Sequence, residues 1–256
     1  MKKLISILFI IFLAGFSFSQ TNVWTGEKDN CWFNPDNWEN GQIPDQASEV
    51  IISSYSKNKP IICANTYIKS LTIQSHSSLE INQNCELNIS GNINLEGVFL
   101  LKEGIVNISG EFKAKSKSTF FLDKGQISAT KFKYDTLSTV IFMGSNQTIP
   151  SNDYSNLEIC STGSTYIAAN SNITCDNLLI NSPILLDESV NLLIFGELVC
   201  NVSSKQIEMK ENSTISAMSV LNTNYFSSDN SNAETNIFES ESQNMLTSNT
   251  SSIIEL

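Results

Sequence analysis

Beyond its first twenty residues the chain places apolar and polar residues alternately, in short bursts, and no stretch holds a convincing helical period. Leu71-Thr-Ile73, Leu79-Glu-Ile81, Leu87-Asn-Ile89, Ile93-Asn-Leu95, Val106-Asn-Ile108, Val140-Ile-Phe142 and Leu157-Glu-Ile159 are examples. An apolar residue at every second position puts one row of side chains on one face of an extended segment, so each burst predicts a short strand with a buried face. Gly, Asn, Ser and Asp fill the junctions, where Asn and Ser suit turns because their side chains bond the local backbone and Asn tolerates positive φ. The pattern runs from about Val50 to Val220.

A longer period lies over the short one. Aligning FLLKEG (Phe99 to Gly104), TFFLDKG (Thr119 to Gly125) and TVIFMG (Thr139 to Gly144) sets Gly104, Gly125 and Gly144 in one column, about 20 residues apart. NISG recurs at Asn88 to Gly91 and Asn107 to Gly110, and IAANSNIT (Ile167 to Thr174) is echoed by LLDESVNLL (Leu185 to Leu193). A unit of that size with several strands cannot bury its apolar row alone, but stacked copies cover one another. The predicted fold is therefore all-β: a right-handed, single-stranded parallel β-helix of about 20-residue rungs, some eight or nine coils forming a rod roughly 40 Å long. Register gives a sharper expectation, with Glu103 beside Lys124 and Lys102 beside Asp123 on adjacent rungs, opposite charges that form a solvated ladder.

The opening MKKLISILFIIFLAGFSFSQ reads as an export leader over residues 1–19, with two lysines, an apolar run too short to span a bilayer comfortably, and small residues before the expected cut after Ser19 or Gln20. Phe16 stands where a lipoprotein would need Cys. No membrane insertion is expected once the leader is gone, and the product is expected to be secreted or held at the cell surface, the periplasm being the alternative.

Charge narrows the partners. All 15 basic residues are lysine, and loss of Lys2 and Lys3 with the leader takes the formal charge from −11 to −13. Such a chain repels nucleic acid, and without arginine it lacks the side chain best fitted to bidentate capture of carboxylate or phosphate. Six cysteines, Cys31, Cys63, Cys85, Cys160, Cys175 and Cys200, follow the leader, each either a small buried apolar side chain or half of a disulfide whose pairing the sequence does not give. No C-x-x-C or Cys/His spacing occurs, and the single His76 lies in a polar turn, so no metal or cofactor is expected.

All three tryptophans, Trp24, Trp32 and Trp38, fall within Val23 to Ile52, between turns marked by Gly26, Pro35, Gly41 and Pro44. A solenoid end exposes an apolar cross-section that needs covering, so residues 20–49 are expected to cap a β-helix spanning 50–220. The residues Trp24, Gly26, Trp32, Asn37, Trp38, Gly41, Pro44, Val50 and Ile52 form a pattern, W-x-G, then W, NW, G-x-x-P and V-x-I, that resembles the opening of secreted, adhesin-like parallel β-helix surface proteins of bacteria with type IX secretion. Gly144, Gln147, Ile149, Tyr154, Asn156 and Leu157 look like a further element of those proteins. The resemblance implies a large extracellular or surface protein, often adhesive and without a defined catalytic site. The chain departs from it at residues 221–256, an Asn/Ser/Thr-rich acidic stretch expected to be poorly ordered where such proteins carry a sorting domain or more repeats. Asp135-Thr136-Leu137 looks like a short O-glycosylation motif of these bacteria.

The functional expectation is a non-catalytic structural or adhesive module that meets glycans or other surface proteins. One alternative is a carbohydrate-active β-helix enzyme, a polysaccharide lyase or glycoside hydrolase. A lyase needs a basic group and cations around a uronate, and a hydrolase needs converging carboxyls, and neither cluster is legible. The other alternative is a carbohydrate-binding module in which Trp24, Trp32 and Trp38 stack on sugar rings; a role in the cap or core competes with it.

Overall fold

The computed structural model describes residues 20–202 and 206–221, together with the backbone of Thr235–Asn236 and Leu246–Thr247, which pair antiparallel. The leader expectation and most of the tail expectation lie outside the described residues. Among the described residues, apart from that pair and short 3₁₀ turns such as Pro35–Asn37, the regular structure is parallel strands stacked as a β-solenoid of about eight turns with rungs of about 21 residues. The all-β, rung-stacked architecture predicted from the alternation is the one found.

Three ladders form the walls of the N-terminal half. A six-stranded sheet runs from Gln20–Trp24 through Ser48–Ile52, Ser70–Ile73, Ile93–Leu95 and Glu111–Ala114 to Lys131–Tyr134. A four-stranded sheet comprises Thr66–Ile68, Glu86–Ile89, Ile105–Ile108 and Gln126–Ser128. A nine-stranded sheet begins at Ile61–Ile62 and ends at Thr214–Leu221, running the length of the rod. In the C-terminal half its strands lengthen to seven to ten residues, as in Asn191–Cys200, and face a second four-stranded sheet from Gln147–Ile149 to Ile207–Met209. The first strand, Gln20–Trp24, already pairs in parallel with Ser48–Ile52, so the coil stack starts inside the segment expected to be cap.

Alternation fixes what each column contains. Ile62, Ile81, Leu101, Leu122, Phe142, Ile159, Ile180 and Cys200 succeed one another in register on the inner side of the long sheet, and all are buried. A neighbouring column, Leu79, Phe99, Phe120, Val140, Leu157, Leu178, Leu198 and Val220, is buried too. Each such side chain contributes about 1.5–3 kcal/mol on leaving water.

Corners stack as well. Asn84, Glu103 and Lys124 take up φ of 60°, 45° and 57°, and Asn170, Ser189 and Asn212 of 58°, 58° and 59°. The left-handed conformation costs a side-chain-bearing residue about 1–2 kcal/mol. Here the amides of Asn84 and Glu103 donate to the carbonyls of Glu103 and Asp123, and those of Asn170 and Ser189 to Glu188 and Glu211, so each corner is held by the next.

The predicted register holds and the predicted charge contacts hold in part: Lys124 Nζ lies 3.0 Å from Glu103 Oε1, whereas Lys102 is in register with Asp123 but its ammonium bonds Glu80 on the other side. The glycine column holds only in part. Gly104 and Gly125 are in register, as the Ile105–Gln126 pairing requires, but Phe142 pairs with Leu122, which sets Gly144 over Lys124, one place off. The cause is a break in the third wall. The strand Gln126–Ser128 has no partner above it, and the chain instead folds Gln147 back so that its Oε1 accepts from the amides of Gly144 and Lys124, both at 3.1 Å. A β-carbon at Gly144 would strike the backbone nitrogen of Lys124.

Candidate functional site

The most elaborate side-chain cluster lies at the N-terminal end. Trp24 and Trp32 are stacked with centroids 6.4 Å apart, and Trp38 stands edge-on to both at 5.0 and 4.8 Å. Such edge-to-face pairs favour the ring quadrupoles. Trp24 Nε1 donates to the Asn58 carbonyl and Trp38 Nε1 to the Trp32 carbonyl, both at 2.8 Å. The rings are almost wholly withdrawn from solvent, Trp38 being the most exposed at 3%. Trp24, Trp32 and Trp38 thus meet as the sequence suggested, but they cover the open end of the first coils and present no ring face on which a sugar could stack.

A polar knot fixes this cap. Asn37, fully buried, accepts on Oδ1 from the amides of Lys28 and Asp29 and donates from Nδ2 to Asp29 Oδ1 at 2.7 Å and to the Cys31 carbonyl at 3.0 Å. Asp29 also accepts from the Cys31 amide and from Asn34 Nδ2. These bonds from Asn34 and Asn37, more than the backbone one, hold the Asp29 carboxyl below its ordinary value. Gly26, at φ 63°, lies so close to the Asn58 backbone that a β-carbon would collide with it. The motif residues around the tryptophans therefore build the cap's backbone path.

Beside the knot lies a shallow open groove of about 570 Å³ lined in part by Lys28, Asp29, Asn58, Lys59 and Glu80. Its two carboxylates are already engaged, Asp29 by the knot and Glu80 by Lys102 Nζ at 2.8 Å. A glycosidase acid needs its pKa raised, and Asp29 is shifted the other way. Elsewhere the acidic side chains serve the stack: Lys69 bonds Glu49, Lys115 bonds Glu96, and Lys210 bonds Asp187, each from one rung to another. The Lys210 contact is also the main reason that Asp187 is held below its ordinary value. Among the described residues no group of three or more His, Cys, Asp or Glu side chains could hold a metal ion.

None of the six cysteines is bonded to another. Cys85, Cys175 and Cys200 are buried, Cys31 and Cys160 half-buried, and Cys63 exposed. Burial pushes the thiols of Cys175 and Cys200 up to about 12, so both are protonated at neutral pH and act as apolar core groups. The buried hydroxyls of Ser161, Ser182 and Thr165 bond one another at 3.1–3.2 Å with no imidazole or carboxylate among the partners seen, a satisfied polar seam with no activated nucleophile.

Sequence reasoning missed a column on the outer side of the nine-stranded sheet. Ile61, Glu80, Leu100, Phe121, Ile141, Glu158, Leu179, Val199 and Leu221 follow one another in register, one per rung. Seven of these nine outward positions are apolar. The signal was present in VFLLK, TFFLD and TVIF, runs apolar on both faces where a half-solvated strand alternates.

Comparison with known proteins adds one match: residues 23–118 fit the model of a domain of unknown function, DUF8693. That stretch takes in the tryptophan cap and the three-walled coils up to Ser118. No curated protein and no solved structure matches the chain.

Proposed function

We propose that this chain is an exported, non-catalytic structural or adhesive module of the cell surface or its surroundings, one of the secreted β-helix proteins that its Trp/Gly/Pro opening resembles. The observation that carries this reading is where the charged groups go. Glu49, Glu80, Glu96, Glu103 and Asp187 each meet a lysine from another rung, and Asp29 is locked in the cap, so these groups hold the rod's register and are not convergent on a substrate. A rigid rod with long, regular side walls suits contacts with extended partners such as glycans or other surface proteins, which meet repeated side chains at the rung spacing of about 4.8 Å.

The test uses the chain from Gln20 onward. Beads coated with it are offered to cells of the producing species and to a glycan array, while the same preparation is incubated with neutral and uronate polysaccharides and assayed for products. Attachment or glycan retention above an albumin control, with no product formed, is expected. Turnover of any polysaccharide at a rate that scales with protein would replace this reading with the enzymatic one.

A further inference from the structure

Most of the outer column of the nine-stranded sheet has no place in the cap or the charge ladder; Glu80, bonded to Lys102, and Ile61, whose backbone bonds Asn30 and Trp32, are the exceptions. Along nine rungs it reads Ile61, Glu80, Leu100, Phe121, Ile141, Glu158, Leu179, Val199, Leu221. On one side it is flanked by Val98, Thr119, Thr139 and Asn156, and on the other by Lys102, Asp123, Met143 and Cys160. Apolar area gathered into one file on a sheet face marks a contact surface, whereas scattered surface leucines do not. Ile141 at its centre is buried, at 9% exposure, Leu221 at its end is 47% exposed, and the other positions are half-exposed.

We infer that this face is where two copies of the chain pack against each other, sheet on sheet and with their rods antiparallel. The order of residues selects that arrangement. A two-fold axis parallel to the strands and passing through the central rung sets Ile141 against Ile141 of the other copy, Leu100 against Leu179, Ile61 against Leu221, Phe121 against Glu158, and Glu80 against Val199. No carboxylate then meets a carboxylate, and in the flanking columns Lys102 meets Asn181, Val98 meets Asn177 and Thr139 meets itself. Parallel rods would bring Glu80 onto Glu80 and Glu158 onto Glu158, a like-charge contact that disfavours that pairing. Each glutamate also brings a partner of its own, Lys102 for Glu80 and Asn181 Nδ2, at 3.2 Å, for Glu158, which limits the cost of covering it.

The size of the face is adequate. Nine rungs about 4.8 Å apart and three columns of outward side chains cover about 40 Å by 15–20 Å, roughly 600–800 Å² per copy. That approaches the 800 Å² or so per partner of a specific protein interface. Two sheets packed this way lie about 10 Å apart, as in a sandwich.

Sedimentation velocity of the chain from Gln20 onward, over a range of micromolar concentrations, tests the inference, with circular dichroism melting to establish that each variant is folded. The native chain is expected to sediment as a dimer. Leu100→Lys and Leu179→Lys, both half-exposed positions, should each raise its dissociation constant roughly 30-fold or more. Asn94→Lys, on the outer side of the six-stranded sheet, should leave it unchanged. The double variant L100K/L179E restores an attractive contact in antiparallel rods alone and should dimerise again. A native chain that stays monomeric, because its own residues 222–256 or nothing at all covers the face, overturns the proposal. So does a dimer that persists in either folded single variant, and a double variant that remains monomeric overturns the antiparallel register.

Discussion

The two halves of the rod solve the same stacking problem with different materials. Up to Phe142 the coils have three walls of short strands, aromatic rings in the core and lysine–carboxylate pairs outside; from Gln147 onward they have two walls, strands of up to ten residues, and amides and hydroxyls where the charges had been. Phe99 and Phe120 stack 5.4 Å apart, and Phe112 lies 5.2 Å from Phe120 and 5.8 Å from Phe132. In the second half Asn177 Nδ2 bonds Asn156 Oδ1 at 2.9 Å, Asn201 bonds Asn181 at 2.7 Å, and Thr214 bonds Asn191 at 2.9 Å. Among the described residues, Lys210 and Asp187 form the one ion pair of that half. The lesson is that a solenoid needs like positions to repeat, and that either a charge pair or an amide pair can hold the register.

Emptying the aromatic core is the strongest way to break this comparison. Phe120→Ala removes the ring that links Phe99 and Phe112 in the core, and should cost about 3–5 kcal/mol in urea unfolding, against about 2–5 kcal/mol for Leu178→Ala in the aliphatic core of the second half. Equal losses followed at two separate probes, tryptophan fluorescence for the first half and hydrogen exchange for the second, would mean that the halves unfold as one. Next in size is Asn37→Ala. It strips partners from the amides of Lys28 and Asp29 and from the Asp29 carboxylate, and should cost about 2–3 kcal/mol, read as earlier exposure of the three indoles. The cap should also loosen in acid: Asp29 titrates below its ordinary value of 3.8 when folded, so its contribution is full above that pH and falls away as the pH drops through the lowered value. An acid transition in indole fluorescence that is the same in Asp29→Asn would remove this role. The smallest effect separates the two register devices. Lys124→Met, losing a pair whose side chains are 45% exposed, should cost about 0–1 kcal/mol and lose that difference in molar salt. Asn156→Ala, losing the neutral amide bond from Asn177, should cost a similar amount that salt does not alter.

Much of this was legible in the chain. The strand bursts, the parallel stacking and the Lys102–Asp123 and Glu103–Lys124 register follow from period-two alternation and from the near-constant rung, because those depend on local spacing alone. The place of Gly144 was not, since aligning glycines hides that Gly125 stands three residues after Leu122 and Gly144 only two after Phe142; the coil that follows is short as well, 17 residues from Ile141 to Glu158 where the neighbouring steps are 20 and 21. The first strand was hidden for the opposite reason: Val23 pairs with Ile51, 28 residues on, because the cap is inserted in that coil. Sequence grouped the three tryptophans but could not say which way they face; burial and the bonds from Trp24 and Trp38 Nε1 decide that. The outer apolar column escaped because a strand apolar on both sides reads like any buried strand until the register shows which residues share a face.

The interruption near Gly144 has a mechanical consequence. Among the described residues, the nine-stranded ladder alone of those in the first half passes this level, helped by the Tyr134–Tyr154 ring contact at 5.1 Å and by the Gln147 side chain. Because each coil is bonded only to its neighbours, a rod pulled or heated parts where the fewest bonds cross, and here that fracture plane is written into the chain between Phe142 and Asp153. Cleavage within residues 143–152 should therefore lower the force or temperature at which the two halves part.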